Sequence, residues 1–313
     1  MRRVAIMADE TGWHTRQLQA GLRARGAVGR TVDLADCRID TGAAWHGLVI
    51  PGFGRELPDA VIVRGIAGGS FEQVTRRLGV LHALRELGVP VYNDARAIER
   101  SVDKSMTSQL LAAAGVPTPP TWALESPAQA QQLVMRESAA GHALVLKPLF
   151  GSQGKGLQLV GRVDGEHRPL PALERGYGSV AYLQRFVAPL ADPGFDWRVL
   201  VVAGRALTAM RRVSRHWVHN VAQGARCEPA PLEPALARIA EDAARVLDID
   251  YAGVDILPAR EGPALQVIEV NGVAAWHGLQ KVAPFNIARR LVDDLLDRKL
   301  GELRRARDGA RRA

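Results

Sequence analysis

Over the first ninety residues, short apolar runs alternate with longer amphipathic stretches. Apolar runs near residues 3–8, 29–34, 60–64 and 89–92 are typical of buried strands. Between them, leucines recur at helical spacing through Leu18 and Leu22, and again from Phe71 to Leu87, after which Gly88 ends the pattern. This strand–helix–strand order predicts a small parallel-sheet domain that ends near residue 95.

The pattern changes in the second part of the chain, where several strands follow one another without an intervening helix. Helices are predicted through Leu110 up to Gly115, and at 127–138, 233–247 and 287–300. Strands are predicted at 122–124, 143–148, 157–160, 180–187, 197–202 and 206–213. We therefore predict an α/β chain whose second part is α+β, with an antiparallel set of strands.

Two acids and an amide fall in a predicted strand pair near the end of the chain. One strand ends Asp255-Ile-Leu, and the chain returns after a short hairpin as Ile268-Glu269-Val270-Asn271. Glu269 and Asn271 are two residues apart on one strand, so their side chains lie on the same face. Both can therefore converge with the side chain of Asp255. Their oxygens suit Mg²⁺ or Mn²⁺ better than Zn²⁺. The alternative is a polar hairpin whose carboxylates are simply hydrogen-bonded.

A lysine and a glycine-rich loop lie upstream of that hairpin. The apolar strand Leu144-Val-Leu-Lys147 runs into Gly151-Ser-Gln-Gly-Lys-Gly156. A lysine charge, a loop rich in backbone N–H groups and a distant carboxylate pair together indicate a nucleoside triphosphate site. Within the loop, Lys155 is either a further phosphate contact or a solvated side chain.

Composition narrows the class of protein. The 313 residues are enough for two or three domains, and the 47% of apolar residues can build a core. Cys37 and Cys227 are the two cysteines, so a disulfide scaffold or zinc module is not expected, and a reducing compartment fits. No apolar window approaches the roughly 20 residues of a membrane span. We expect a soluble, cytoplasmic protein with no membrane partner.

The formal charge of +8 and pI near 10.1 concern partners and not the fold. Nucleic acid, an anionic substrate and a general arginine bias would each explain this charge. The chain has no helix-turn-helix or aromatic–basic stacking pattern, so nucleic acid is an unlikely partner. The oligomeric state stays open, and a homo-oligomer is compatible with the sequence.

The ordered set of motifs resembles the RimK-type ATP-grasp carboxylate–amine ligases over nearly the whole chain. Besides the loop and hairpin, the matching segments are Ser101-Val-Asp-Lys104, Asp196-Trp-Arg198, Arg211-Arg212 and Trp217-Val-His-Asn220. The resemblance implies an ATP-grasp fold with a Rossmann-like N-terminal domain at 1–96. It further implies a central subdomain at 97–187 with the phosphate loop, a C-terminal subdomain at 188–301 with the metal site, and a basic tail at 302–313.

The resemblance also implies roles for individual residues. Arg198 and Arg212 would act on the transferred phosphoryl group, and Asp255, Glu269 and Asn271 would hold Mg²⁺ or Mn²⁺, expected as two ions. Arg64, Trp276 and His277 would contact substrate. Relatives usually carry an acid at the position of Arg185. The residues implied to bind ATP are Lys104, Lys147, Gly151, Ser152, Gln153, Gly154, Gln184, Arg185, Phe186, Val187, Asp196 and Asn220.

The reaction implied by the resemblance is ATP-dependent amide bond formation. An acceptor carboxylate would be activated as an acyl phosphate and then attacked by an amino acid, for which glutamate is favoured. The segment from Glu269 to Gln280 looks most like the branch that acts on tetrahydromethanopterin-type pterins. A protein tail or carrier protein is an alternative acceptor, and a D-alanine or glutathione-type ligase would keep the same phosphate motifs. A non-catalytic nucleotide- or nucleic-acid-binding protein is the alternative of another class.

Overall fold

The computed structural model describes residues 1–42 and 45–301 of the chain. Its first part is a parallel sheet in the order β2-β1-β5-β6, flanked by two helices. A two-stranded antiparallel ribbon, β3 with β4, is attached to it. The elements are β1 (Arg2–Met7), α1 (Trp13–Ala24), β2 (Ala27–Val32), β3 (Arg38–Ile39), β4 (Leu48–Val49), β5 (Ala60–Val63), α2 (Phe71–Glu86) and β6 (Val91–Tyr92).

The central part is an antiparallel sheet in the order β10-β9-β8-β11-β7. Helix α5 packs on one face through a buried cluster that includes Val134, Leu144 and Leu183. Helix α4 begins where the Asp103 carboxylate accepts hydrogen bonds from two backbone N–H groups of the first turn. The elements are α3 (Ala95–Val102), α4 (Lys104–Ala113), β7 (Thr121–Leu124), α5 (Pro127–Ala139), β8 (Ala143–Lys147), β9 (Gln158–Val163), β10 (Glu166–Arg168) and β11 (Ala181–Arg185).

The last part is a second antiparallel sheet, in the order β14-β13-β12-β15-β16. A 3₁₀ turn, Val221–Gln223, precedes β14, and a π-helical segment, Asp294–Lys299, continues α8. The elements are β12 (Gly194–Val202), β13 (Arg205–Ser214), β14 (Arg226–Ala230), α6 (Pro234–Val246), β15 (Tyr251–Pro258), β16 (Leu265–Asn271), α7 (His277–Gln280) and α8 (Ile287–Asp293).

Two buried clusters use opposite faces of this last sheet. One face packs on α6 through residues such as Val199, Ala240 and Val254. On the other face, Leu200 and its neighbours join a cluster with α8 and with Leu18 of α1. Only one end of that second face is apolar, which leaves its other end for polar side chains.

The predicted mixture of a parallel sheet followed by antiparallel sheets is confirmed. Three short strand pairings escaped the sequence analysis, because β3, β4, β10 and β14 are two to five residues long and lack clear alternation. The predicted domain boundaries stay predictions, and the basic tail at 302–313 lies outside the described residues. No described helix has the length and apolar character needed to cross a membrane.

Candidate functional site

Strand register places the charged residues of the last sheet side by side. Arg212 of β13 lies opposite Asp196 of β12, and Arg198 of β12 lies opposite Asp255 of β15. Asp255 in turn lies opposite Glu269 of β16. Since directly opposite residues in an antiparallel pair share a face, four strands present one continuous polar surface.

Two arginines and two acids on this surface form a buried ion-pair network. Arg198 donates from Nε and Nη2 to Asp255 at 2.5 and 2.6 Å. Arg212 donates to Asp196 at 2.7 and 2.5 Å, and its Nη2 also lies 2.9 Å from Asp255 Oδ2. Asp196, Arg212 and Asp255 are each at most 2% exposed. Removing one partner would therefore leave an uncompensated buried charge.

The charge pattern shifts the pKa values of these groups in different directions. Burial opposes ionisation of Asp255, but Arg198 and Arg212 outweigh it and hold the pKa of this carboxyl below its usual range. Burial raises the pKa of Asp196 to about 6, against the effect of Arg212. Burial also opposes the charge of Arg212, yet Asp255 and Asp196 together raise its pKa above the ordinary value.

The oxygen donors expected for a metal fit this surface. The Glu269 carboxylate accepts no hydrogen bond from any described residue, and it lies opposite Asp255. Asn271 donates from Nδ2 to Gly253 O at 3.3 Å, which leaves its amide oxygen available. No group of three His, Cys, Asp or Glu side chains within the described ranges could hold a metal. Two carboxylates and an amide would thus need phosphate and water oxygens to complete a Mg²⁺ shell.

Two lysines face these acids from the central sheet and α4. Lys147, the last residue of β8, donates to Gln184 Oε1 at 2.7 Å. Lys104 donates to Leu149 O at 3.2 Å and to Gly151 O at 2.9 Å, at the start of the glycine loop. Burial lowers the pKa of Lys147 to about 8, although Glu269 acts in the opposite direction. Burial also lowers the pKa of Lys104.

The glycine loop packs against the segment that follows β13. Gly154 has a φ of +70°, and a Cβ at this position would lie 2.7 Å from both Asn220 Oδ1 and Val218 Cγ1. Gln223 Nε2 donates to Gln153 O at 3.2 Å. The loop is therefore held over the space between the two antiparallel sheets, and only glycine permits this approach.

That space is a cleft, and most of the predicted site residues line it. Five predicted site residues are outside the cleft lining: Arg198, Asn271, Arg64, Trp276 and His277. The predicted residues that line it are Lys104, Lys147, Gly151, Ser152, Gln153, Gly154, Gln184, Arg185, Phe186, Val187, Asp196, Arg212, Asn220, Asp255 and Glu269.

The sequence analysis missed the apolar walls of the cleft. Val145 and Leu157 line it from the central sheet, and Leu257 and Ile268 line it from the last sheet. Two facing apolar walls suit a flat heteroaromatic base. Val145 precedes Lys147 by two residues on one strand, so strand alternation could have found it.

Arg185 has a specific partner that explains its charge. Its Nη2 donates to Glu137 Oε2 at 2.7 Å, and Glu137, only 5% exposed, also lies 3.1 Å from His142 Nδ1. Burial opposes the charge of Glu137, but Arg185 and its neighbours lower its pKa. Since the charged end of Arg185 binds α5, its departure from the family pattern is balanced within the central subdomain.

The three predicted substrate residues form a second group at the carboxyl-terminal end of the strands in the first sheet. The Arg64 guanidinium lies 4.5 Å from the centre of the Trp276 ring. His277 packs against Trp13, with ring centres 4.7 Å apart. His14 Nε2 accepts a hydrogen bond from the Trp276 backbone at 3.1 Å. These residues therefore lie where the first sheet meets the loop after β16.

Lysines from the central sheet and α4, together with the glycine loop, face acids and arginines of the last sheet, and this arrangement defines an ATP-grasp enzyme. The RimK-like ATP-grasp domain matches residues 101–295, and the RimK PreATP-grasp domain matches residues 1–98. The chain belongs to the RimK-like ATP-grasp family. It is an ATP-dependent carboxylate–amine ligase, and the ATP-grasp fold expected from the sequence is confirmed.

Relatives and solved structures resemble the chain over most of its length. Tetrahydromethanopterin:alpha-L-glutamate ligase of Methanocaldococcus jannaschii is 32% identical over 242 residues, covering 76% of this chain and 79% of the relative. A probable alpha-L-glutamate ligase of Legionella pneumophila is 28% identical over 93% of this chain and 94% of the relative. The ATP-grasp ligase PsnB, complexed with a phosphomimetic precursor variant, Mg and ADP, superposes with a TM-score of 0.70 at 22% identity, covering 94% of this chain and 97% of PsnB.

Proposed function

We propose that the chain is a glutamate ligase that extends the terminal carboxylate of a tetrahydromethanopterin-type pterin at the expense of ATP. The observation that carries the proposal is the cleft. In it, Lys104, Lys147 and the glycine loop face the polar surface of the last sheet that includes Asp255 and Glu269. The names of the relatives support glutamate and the pterin.

The lysines and the loop would bind the triphosphate of ATP. Lys104 and Lys147 supply charge, and the loop from Gly151 to Gly154 supplies backbone N–H groups. The base would lie between the apolar walls, with its edge at the Gln184–Val187 segment. Asp196 and Asn220 line the same cleft and are proposed to contact the nucleotide.

Asp255, Glu269 and Asn271 would hold Mg²⁺, for which we propose two ions. The metal would supply positive charge that neutralises the phosphate oxygens during transfer. Because Asp255 is already paired with Arg198 and Arg212, binding of the metal there requires these guanidinium groups to shift or share the carboxylate. The arginines would then stabilise the negative charge on the transferred group.

The reaction would proceed in two displacements. An oxygen of the acceptor carboxylate attacks the γ-phosphorus, and the bond to ADP breaks, which gives an acyl phosphate. The amino group of glutamate then attacks the acyl carbon, phosphate leaves, and the amine releases a proton. Positioning and charge stabilisation account for these steps without a side-chain nucleophile.

The proposal is tested by incubating the full-length protein with Mg²⁺, ATP, a tetrahydromethanopterin-type pterin and each amino acid in turn. We expect ADP formation that requires both the pterin and glutamate, with a pterin product one glutamyl residue heavier by mass spectrometry. ADP formation that is independent of the pterin, or a preference for another amino acid, would contradict the proposed substrates.

A further inference from the structure

Arg64 is held in position by hydrogen bonds to neutral groups. Its Nη1 donates to Ala274 O at 2.8 Å and to the Tyr251 hydroxyl at 3.2 Å. The guanidinium also lies over the Trp276 ring. Within residues 1–42 and 45–301, no acidic side chain forms an ion pair with Arg64. A held guanidinium without an acidic partner is suited to an anionic ligand.

Two N–H donors in the same group have no acceptor among the residues that the structure describes. Arg64 Nε and Trp276 Nε1 are both buried, and neither finds a hydrogen-bond partner among the described residues. Trp276 is only 1% exposed. Because native proteins pair more than nine tenths of their buried polar groups, two neighbouring orphan donors require a reason. The oxygen atoms of an anion bound at the half-buried Arg64 guanidinium would supply the missing acceptor for Nε and balance the charge.

This group is adjacent to the polar surface of the nucleotide site. A Cβ placed on Gly253 would lie 3.1 Å from Arg198 Cδ and 3.2 Å from Ala274 Cβ. The Ala274 side chain and the stem of Arg198 therefore both flank Gly253, and the Ala274 carbonyl binds Arg64. A small molecule held by Arg64 would therefore extend toward Arg198 and Asp255.

The loop that carries Trp276 is itself held rigidly against the first sheet. His14 Nε2 accepts from the Trp276 backbone, and the two rings are in edge contact at 4.6 Å. Burial lowers the pKa of His14 to about 4, with Arg64 acting in the same direction. His14 therefore stays neutral at physiological pH and keeps its acceptor role toward the loop.

We propose that Arg64 binds the α-carboxylate of the incoming amino acid and so places its amino group beside the reacting carboxylate. This inference rests on the proposed ligase function. The acceptor carboxylate that is phosphorylated belongs at Arg198 and Arg212, so a second anion site serves the other substrate. One carbon separates an α-carboxylate from its amine, and a guanidinium fork can hold the carboxylate through two parallel hydrogen bonds.

The test is calorimetric binding of L-glutamate to the full-length protein saturated with Mg²⁺ and the non-hydrolysable nucleotide AMP-PNP. The probe for the carboxylate is 4-aminobutyrate, which is glutamate without that group. We expect the unaltered protein to bind glutamate about 30-fold more tightly than 4-aminobutyrate, by analogy with truncated charge pairs. Arg64→Met should weaken glutamate binding by a similar factor and bind both compounds equally. AMP-PNP affinity should stay unchanged.

Two further variants keep the test decisive. Arg64→Lys keeps the charge but loses the fork, so it should bind glutamate with intermediate affinity. Arg2→Met is the matched control, because the Arg2 side chain, at the amino-terminal end of β1 in the same sheet, donates to the Leu296 carbonyl and to no other group of the described residues. This control should bind glutamate normally.

Glutamate affinity unchanged in both Arg64 variants would overturn the inference, as would the absence of glutamate binding to the unaltered protein. Either result is distinguishable from failure of the proposed function, which appears as missing glutamate-dependent ADP formation in the unaltered protein.

Discussion

Gly154→Ala tests whether the closed glycine loop is needed for ATP binding. In the structure, a Cβ at this position would overlap Asn220 Oδ1 and Val218 Cγ1, each at 2.7 Å. Val218 is buried, so its side chain has little room to move away from a new methyl group. The substitution should therefore disfavour the closed position of the loop and leave the open position accessible.

The magnitude follows from two separate costs. A positive φ of +70° costs a residue with a Cβ about 1–2 kcal/mol. Overlap with packed neighbours adds about 1–3 kcal/mol. If only the closed loop binds ATP, the overlap alone should raise the Kd for ATP by about 5- to 150-fold, at 1.4 kcal/mol per factor of ten.

Gly165→Ala separates the overlap from the backbone strain. Gly165 has a φ of +85° in the turn between β9 and β10, and a Cβ there would meet no atom within 4 Å. We expect Gly165→Ala to lower thermal stability slightly and to bind ATP normally by isothermal titration calorimetry. If Gly154→Ala binds ATP within twofold of Gly165→Ala, the loop does not need this close approach, and the reasoning is wrong.

Three more predictions concern the lysines and the metal. Lys147→Ala should weaken ATP binding by about 2–5 kcal/mol in calorimetry, whereas Lys155→Ala, at an exposed position, should cost much less; the reverse ranking would refute the loop register. Lys147, with a pKa of about 8 in the free protein, loses its proton above pH 8, so ATP affinity should fall there. ATP would raise that pKa, so binding at pH 8 should take up protons, seen as a buffer-dependent heat that Lys147→Met abolishes. Glu269→Gln should abolish turnover and Mg²⁺-dependent nucleotide affinity at an unchanged melting temperature, and activity within twofold of the unaltered protein would remove the metal assignment.

The structure brings most of the predicted polar residues together in one cleft, but their pairing with one another had no signal in the sequence. Lysine, glycine and acidic positions stand out because their chemistry differs from that of the surrounding strands. The bidentate pairs Arg198–Asp255 and Arg212–Asp196 depend instead on cross-strand register, and residues 57 and 16 positions apart carry no local signal of contact. The family resemblance therefore implied two arginines for the phosphoryl group without indicating that each one pairs with an acid.

Two further features could not be predicted from the local sequence pattern, because they depend on contacts between distant segments. Arg185 stands where relatives usually carry an acid, and its partner Glu137 lies on α5, a helix to which the sequence analysis assigned no role. Likewise, the orphan donors of Arg64 and Trp276 appear only when the first sheet packs on the loop after β16. Both depend on contacts between distant segments, which a single sequence does not specify.

The most direct test of the proposed chemistry follows oxygen from the acceptor. A pterin with an ¹⁸O-labelled terminal carboxylate is incubated with the protein, Mg²⁺, ATP and glutamate, and the released phosphate is analysed by mass spectrometry. Ligation through an acyl phosphate predicts one labelled oxygen in the phosphate for every glutamyl product formed. ADP is then the nucleotide product. Unlabelled phosphate, or formation of AMP and pyrophosphate, would contradict the account.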